Sequence, residues 1–157
     1  MKFVNLIKDL VKEGKLSDYG DSNNPAALEK EKEIKGKKVK PMDALEDLDL
    51  NTLSRNKTIK EYRYGPLNPD DEKGTKKFWE DKAKMWDTTI EHAKTSRCSN
   101  CVAFNQKPAT LKKMSKAIGD EGDKIIKEAN LGFCEFFWFK CAGDRTCDAW
   151  VAGGPLK

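Results

Sequence analysis

Gly132-Phe133-Cys134-Glu135-Phe136-Phe137-Trp138-Phe139-Lys140-Cys141 is the stretch on which the reading turns, because it crowds five aromatic rings and two thiols into ten residues. It lies between Arg97-Cys98-Ser99-Asn100-Cys101 and Thr146-Cys147-Asp148-Ala149-Trp150. All five cysteines and half of the aromatic residues fall from Cys98 onward, so the chemistry belongs there. Four thiolates drawn from separate parts of a chain can hold a tetrahedral zinc or an iron-sulfur cluster, since both want soft, deprotonated sulfur. The spacing is Cys98-x2-Cys101, thirty-two intervening residues, then Cys134, Cys141 and Cys147. A structural zinc usually takes two C-x-x-C knuckles and this chain has one, which makes zinc the second reading. A zinc knuckle also needs no aromatic wall, whereas a cubane cluster depends on burial, N–H bonds to sulfur and exclusion of water. In so small a domain, core and cluster pocket coincide, and a metal staple supplies stability that a small core lacks.

Composition narrows the alternatives. The chain has 157 residues, 38% hydrophobic and 36% charged, with a mean hydropathy of -0.77. Its 30 Lys and Arg against 26 Asp and Glu give a net charge of only +4, with the signs interleaved, so no nucleic-acid partner is expected. No apolar run is long enough for a membrane span, and charge interrupts Met1-Lys2-Phe3-Val4-Asn5-Leu6-Ile7-Lys8-Asp9 before a signal sequence could form. The expected setting is therefore cytoplasmic and not secreted, where thiols stay reduced, or virion-associated if the chain is a subunit of such an assembly. An odd cysteine count fits that better than a closed disulfide framework. The single histidine, His92, excludes a Rieske centre and a two-Cys two-His finger, and Val102 after Cys101 excludes haem attachment. No acid/base pair, phosphate-binding glycine loop or Ser/His/Asp set stands out, so no catalytic residues are assigned and an enzyme is not expected.

Four segments follow from patterning. Residues 1–19 contain an amphipathic helix with Phe3, Val4, Leu6, Ile7, Leu10 and Val11 on one side, ending near Gly14. Residues 20–75 read as an extended arm or linker, because no aromatic occurs between Gly20 and Glu61 and Pro25, Gly36 and Pro41 break any apolar period. Marginal helical turns are expected around Ala26 to Ile34 and Met42 to Leu53, with Leu45, Leu48, Leu50 and Leu53 as anchors on a partner or on the distal domain. Residues 76–97 form a helix capped by Thr75 and running to about Lys94, with Trp79, Ala83, Trp86 and Ile90 on one core-facing stripe. His92 near its end reads as a solvated side chain. Residues 98–157 make the metal-stapled domain, with a helix from Thr110 to Ile118 stopped by Gly119, further turns from Asp123 to Asn130, and no alternating strand pattern. The expected fold class is mainly α with much irregular structure.

The framework Arg97-Cys98-Ser99-Asn100-Cys101, Gly132-Phe133-Cys134-Glu135-Phe136-Phe137 and Thr146-Cys147-Asp148-Ala149-Trp150 resembles that of the high-potential iron-sulfur proteins. That family has a C-x-N-C start, a third cysteine followed by x-x-Phe, and a fourth leading into a small residue and Trp. The resemblance implies one 4Fe-4S cluster on Cys98, Cys101, Cys134 and Cys147, with Phe137 and Trp150 in its hydrophobic wall. It spans Cys98 to Pro155. The spacer between Cys101 and Cys134 is about twice the family's length, the family's Pro-Gly-Lys turn is replaced by Trp138-Phe139-Lys140-Cys141, and Cys141 is extra. Cys141 could stand in for Cys134 or Cys147, or be a buried small hydrophobe. The family's tyrosine ahead of the first cysteine has no local counterpart, since Tyr62 and Tyr64 lie far upstream.

Four cysteine ligands leave no open coordination position, which implies one-electron transfer with an electron-transfer partner. The long N-terminal region implies attachment to a protein partner through residues 1–61. The alternative is a structural subunit of an assembly, such as a phage virion, in which the cluster or a cysteine-bound zinc only staples the fold.

Overall fold

Asp47 sets the first long helix of the computed structural model, which describes residues 40–157. Its carboxylate accepts from the backbone N–H groups of Asp49 and Leu50 at 3.0 and 3.1 Å, covering two donors that helix geometry leaves open. A 3-10 turn over Pro41–Leu45 leads into this helix, α1 (Leu48–Tyr62), which ends where Arg63 turns left-handed at φ 48°. The chain over 41–62 is thus helical and not an extended arm. Three leucines suffice to seat it, because Leu45, Leu50 and Leu53 pack with Met114, Ile126 and Phe133 of the distal part. Two polar residues on the same face, Ser54 and Thr58, are buried without penalty from unpaired groups in Thr58, whose hydroxyl donates to the Ser54 carbonyl at 2.7 Å. Leu48, the fourth expected anchor, stays exposed. The amphipathic helix of residues 1–19 and the turn at Ala26 to Ile34 lie outside the described residues.

The expected helix over 76–94 is two helices, α2 (Lys76–Met85) and α3 (Ile90–Thr95). Asp87 breaks them apart at φ 52°, and the Thr89 hydroxyl caps the second by accepting from His92 N–H at 3.1 Å. The turn keeps the aromatic stripe together: Trp79, Ala83 and Ala93 are buried, with Trp86 and Ile90 packed against them. Thr75 holds the N-cap position of α2 but does not cap it, since its hydroxyl donates to the Asp71 carbonyl instead.

A 3-10 turn at Cys98–Asn100 leads to β1 (Phe104–Asn105), then α4 (Pro108–Ile118), α5 (Gly122–Glu128), β2 (Leu131–Cys134) and β3 (Phe139–Ala142). Pro108 opens α4 two residues before Thr110, which lies in the first turn and is not its cap; Gly119 closes it at φ 112°. The strands form an antiparallel sheet in the order β1-β2-β3, which the absence of alternation did not foretell. Segments of two to four residues are too short to display a two-residue period, even in β3, where buried and half-buried residues alternate.

Register decides what each face meets. Phe104 pairs with Cys134, Cys134 with Phe139 and Gly132 with Cys141, so these five residues share one face. That face joins a core holding all five cysteines, while Phe133 on the other face joins the core of α1, α4 and α5. Gly132 is obligatory in this arrangement, because a Cβ there would lie 2.6 Å from the Phe104 ring. The described residues are about half helical with one small antiparallel sheet. Among them no helix is long and apolar enough to cross a membrane.

Candidate functional site

Each cysteine is carried on a different piece of backbone. Cys98 opens the 3-10 turn, its N–H donating to the Arg145 carbonyl at 2.7 Å, while Cys101 N–H closes the turn on the Cys98 carbonyl at 2.9 Å. Asn100 locks this knuckle: its side-chain oxygen accepts from Arg97 N–H at 3.0 Å and from Trp150 Nε1 at 2.9 Å, and its amide donates to the Thr95 carbonyl at 2.7 Å. Cys134 ends β2 and Cys141 lies within β3. Cys147 rides on an irregular loop tied at several points. Thr146 and Gly65 exchange backbone hydrogen bonds at 2.6 and 2.9 Å, Asp148 N–H reaches the Tyr62 carbonyl at 2.8 Å, and Ser99 N–H reaches the Gly143 carbonyl at 3.0 Å. The C-terminal tail closes the far side, where Val102 N–H donates to the Val151 carbonyl and Gly154 passes so near the Cys101 carbonyl that no side chain fits.

The five sulfurs are free thiols, all buried, around one apolar cavity. Tyr64, Phe104, Phe136, Phe139 and Trp150 complete its lining. Trp150 thus stands where the sequence placed it. Phe137 is buried but does not line the cavity, its ring lying 4.4 Å from that of Tyr62. Cys141 lines the cavity together with Cys98, Cys101, Cys134 and Cys147, so all four assigned ligands and the extra thiol meet in one place. Among the described residues, no three Cys, His, Asp or Glu side chains converge on a position for a single metal ion.

Backbone N–H groups point at the sulfurs. Those of Val151 and Ala103 bond Cys101, those of Phe137 and Phe136 bond Cys134, and that of Ala149 bonds Cys147. Burial pushes the Cys101 thiol up to about 12 in spite of its two N–H donors, and drives Cys147 and Cys141 well above the ordinary range. At Cys134 burial pushes the same way, but the Cys141 thiol and the two N–H donors outweigh it, and the net direction is downward. Cys134 and Cys141 thus interact directly, and Cys141 also reaches Cys98.

Sequence reasoning left two features unassigned. Tyr64 is brought to the cavity by its neighbour Gly65, whose backbone bridge to Thr146 carries no sequence signal. Lys82 is 1% exposed and its ammonium pairs with Asp148, the residue after Cys147. A signal existed there: Lys82 stands three residues after Trp79 and four before Trp86, on the apolar stripe itself. His92 is exposed in α3, as expected of a solvated side chain.

No family model, no curated protein and no solved structure matches this chain.

Proposed function

We propose that the chain is a one-electron carrier or redox module that holds a 4Fe-4S cluster of the high-potential type on Cys98, Cys101, Cys134 and Cys147. The observation that carries this reading is the set of backbone N–H groups aimed at the sulfurs of Cys101, Cys134 and Cys147 around an apolar cavity. Such N–H···S bonds stabilise thiolates that burial alone would keep protonated, and cluster ligands need that support. Four cysteines around one water-excluding cavity are the ligand number that a 4Fe-4S cluster takes. When bound, the cluster supplies outer-sphere electron transfer, because four cysteine ligands leave no open position on iron.

The remaining work falls to the chain. Tyr64, Phe104, Phe136, Phe139 and Trp150 exclude water and lower the local dielectric, which disfavours the more negative, more reduced cluster states and favours the oxidised couple. The Asn100 contacts fix Cys98 and Cys101 against Trp150, so that the first two ligands and the wall form one rigid unit. Because Leu45, Leu50 and Leu53 are used inside the fold, a protein partner reached through the N-terminal region would be gripped by residues before them.

The test is iron, acid-labile sulfide and zinc analysis of anaerobically purified protein, with visible absorption and EPR before and after oxidation. Four irons and four sulfides per chain and a paramagnetic signal that appears on oxidation are expected. One zinc and no sulfide would overturn the reading and leave a zinc-stapled structural protein.

A further inference from the structure

A lysine that is buried to 99% needs a reason. Lys82 lies on α2, outside the cysteine-bearing part of the chain, with its side chain between Phe78 and Trp86 and its Nζ 4.9 Å from the Phe78 ring centre and 5.8 Å from that of Trp86. Its ammonium donates to the Arg63 carbonyl at 3.2 Å and to Asp148 Oδ1. Asp148 is itself 92% buried by its 8% side-chain exposure, and its second oxygen accepts from Arg63 Nε at 3.0 Å. Trp86 Nε1 donates to the Asp148 carbonyl at 3.4 Å, and Asp148 N–H is held by the Tyr62 carbonyl, so the residue next to Cys147 is gripped from three sides. The triad contains two cations and one anion and therefore presents a net charge of one positive unit beside a ligand loop.

A purely structural role is poorly served by such a group. An apolar residue of similar volume packs such a site at least as well, since removing a charge from water is expensive and the mutual attraction of a buried pair often only repays it. What an apolar residue cannot supply is a fixed field. Burial shields that field from solvent, and the pairing with Asp148 holds the Lys82 charge beside the residue that follows Cys147.

We infer that Lys82, through its pairing with Asp148 and Arg63, is a positioning residue that fixes the Cys147 loop and holds a positive charge against the cluster site, raising the reduction potential of the bound group. The inference rests on the proposed cluster reading. Adding an electron to the cluster adds negative charge, and a fixed cation nearby stabilises that more negative state over the oxidised one. Lys82 thereby offsets part of the preference for the oxidised form that the aromatic wall imposes.

The experiment compares wild type, Lys82→Arg, Lys82→Met and Arg63→Gln, each purified anaerobically, with iron and sulfide per chain counted before the midpoint potential is measured by spectroelectrochemical titration. Lys82→Met is expected to keep its cluster and titrate at a lower potential than wild type, while Lys82→Arg, which keeps the charge, stays near wild type. Arg63→Gln removes a half-exposed cation and is expected to shift the potential in the same direction by less. If Lys82→Met does not fold or load, Arg63→Gln decides. Loaded variants whose potentials match wild type would overturn the inference and leave the cluster reading intact, whereas a wild type without iron and sulfide would overturn the cluster reading, and this inference with it.

Discussion

The hydroxyl of Tyr64 accepts a hydrogen bond from the backbone N–H of Ala142 at 2.8 Å, joining residues 78 positions apart at the edge of the cysteine cavity. The ring stands edge-on to Phe139 at 4.9 Å beside Cys141 and Cys98, and burial above all pushes the phenol far above its ordinary range. Tyr64 is therefore a neutral acceptor that finishes the hydrogen bonding of β3 while its ring shields the thiols. In Tyr64→Phe the shielding ring remains and the Ala142 N–H loses its partner, which is expected to destabilise the protein by about 1–2 kcal/mol. Thermal unfolding would show this as a fall of about 2–8 °C in Tm. Tyr64→Leu opens the wall as well, and its cluster is expected to bleach faster in air than that of Tyr64→Phe.

Cys141 separates ligands from bystanders. It is 1% exposed, the most strongly buried of the five thiols, and lines the cavity beside the four assigned ligands. One 4Fe-4S cluster takes four cysteines, which on the proposed assignment leaves Cys141 in the wall. Cys141→Ala is expected to retain the full complement of iron and sulfide, while serine at Cys98, Cys101, Cys134 or Cys147 loses most of it. Metal analysis of the five variants checks the assignment, and loss of iron in Cys141→Ala alone would place Cys141 in the ligand set.

How much of this was legible in the sequence follows from the length over which each feature is written. The stripe Trp79, Ala83, Trp86 and Ile90 is periodic over three turns and reads correctly as core, yet the break at Asp87 is a single left-handed residue that periodicity cannot see. The aromatic crowding around Cys134 is legible locally, whereas the presence of Cys141 at the cavity with the other four thiols is a product of strand register. The sheet was invisible because strands of two to four residues are too short to show a period. Helix α1 was legible in its first turns and its leucine anchors, but its continuation to Tyr62 was not, since its face is half polar and contact with Met114 and Phe133, far along the chain, makes its leucines a core. Tyr64 reaches the site through a backbone bridge, which no residue type encodes.

Gly132 is the tightest point of the sheet. A Cβ there would meet three atoms of the Phe104 ring, the closest at 2.6 Å, and the ring cannot retreat because Phe104 is 1% exposed and paired in register with Cys134. Gly132→Ala is expected to cost about 1–3 kcal/mol by overpacking, and Gly132→Val more. Chemical denaturation measures the loss directly. Since the displaced ring lines the cavity, the substitution is also expected to lower cluster occupancy, whereas Gly119→Ala, beside which there is open space, should leave occupancy unchanged and act only through its backbone strain at φ 112°.

Lys140 gives a pH dependence whose direction is fixed by its surroundings. It sits on the face of β3 opposite the cysteines, its backbone N–H donating to Asn51 Oδ1 at 2.6 Å, and its Nζ is buried without a hydrogen-bond partner. Burial lowers its pKa from 10.5 to about 8, with only the Asp47 carboxylate pulling the other way. Between about 8 and 10.5 the unfolded chain therefore binds more protons at this residue than the folded one. Stability contributed by this group must rise as pH rises through that window, and the whole penalty is present below it. Lys140→Met removes the penalty and is expected to stabilise the protein at pH 7 by about 1 kcal/mol, the figure being reduced for the partial solvent access of the side chain. Its stability should also lose the wild-type increase between about pH 8 and 10.5, once the shared response of the other lysines and tyrosines is subtracted. Urea denaturation of both proteins across that range is the measurement, and parallel curves for wild type and Lys140→Met would show that the ammonium reaches water in the folded state.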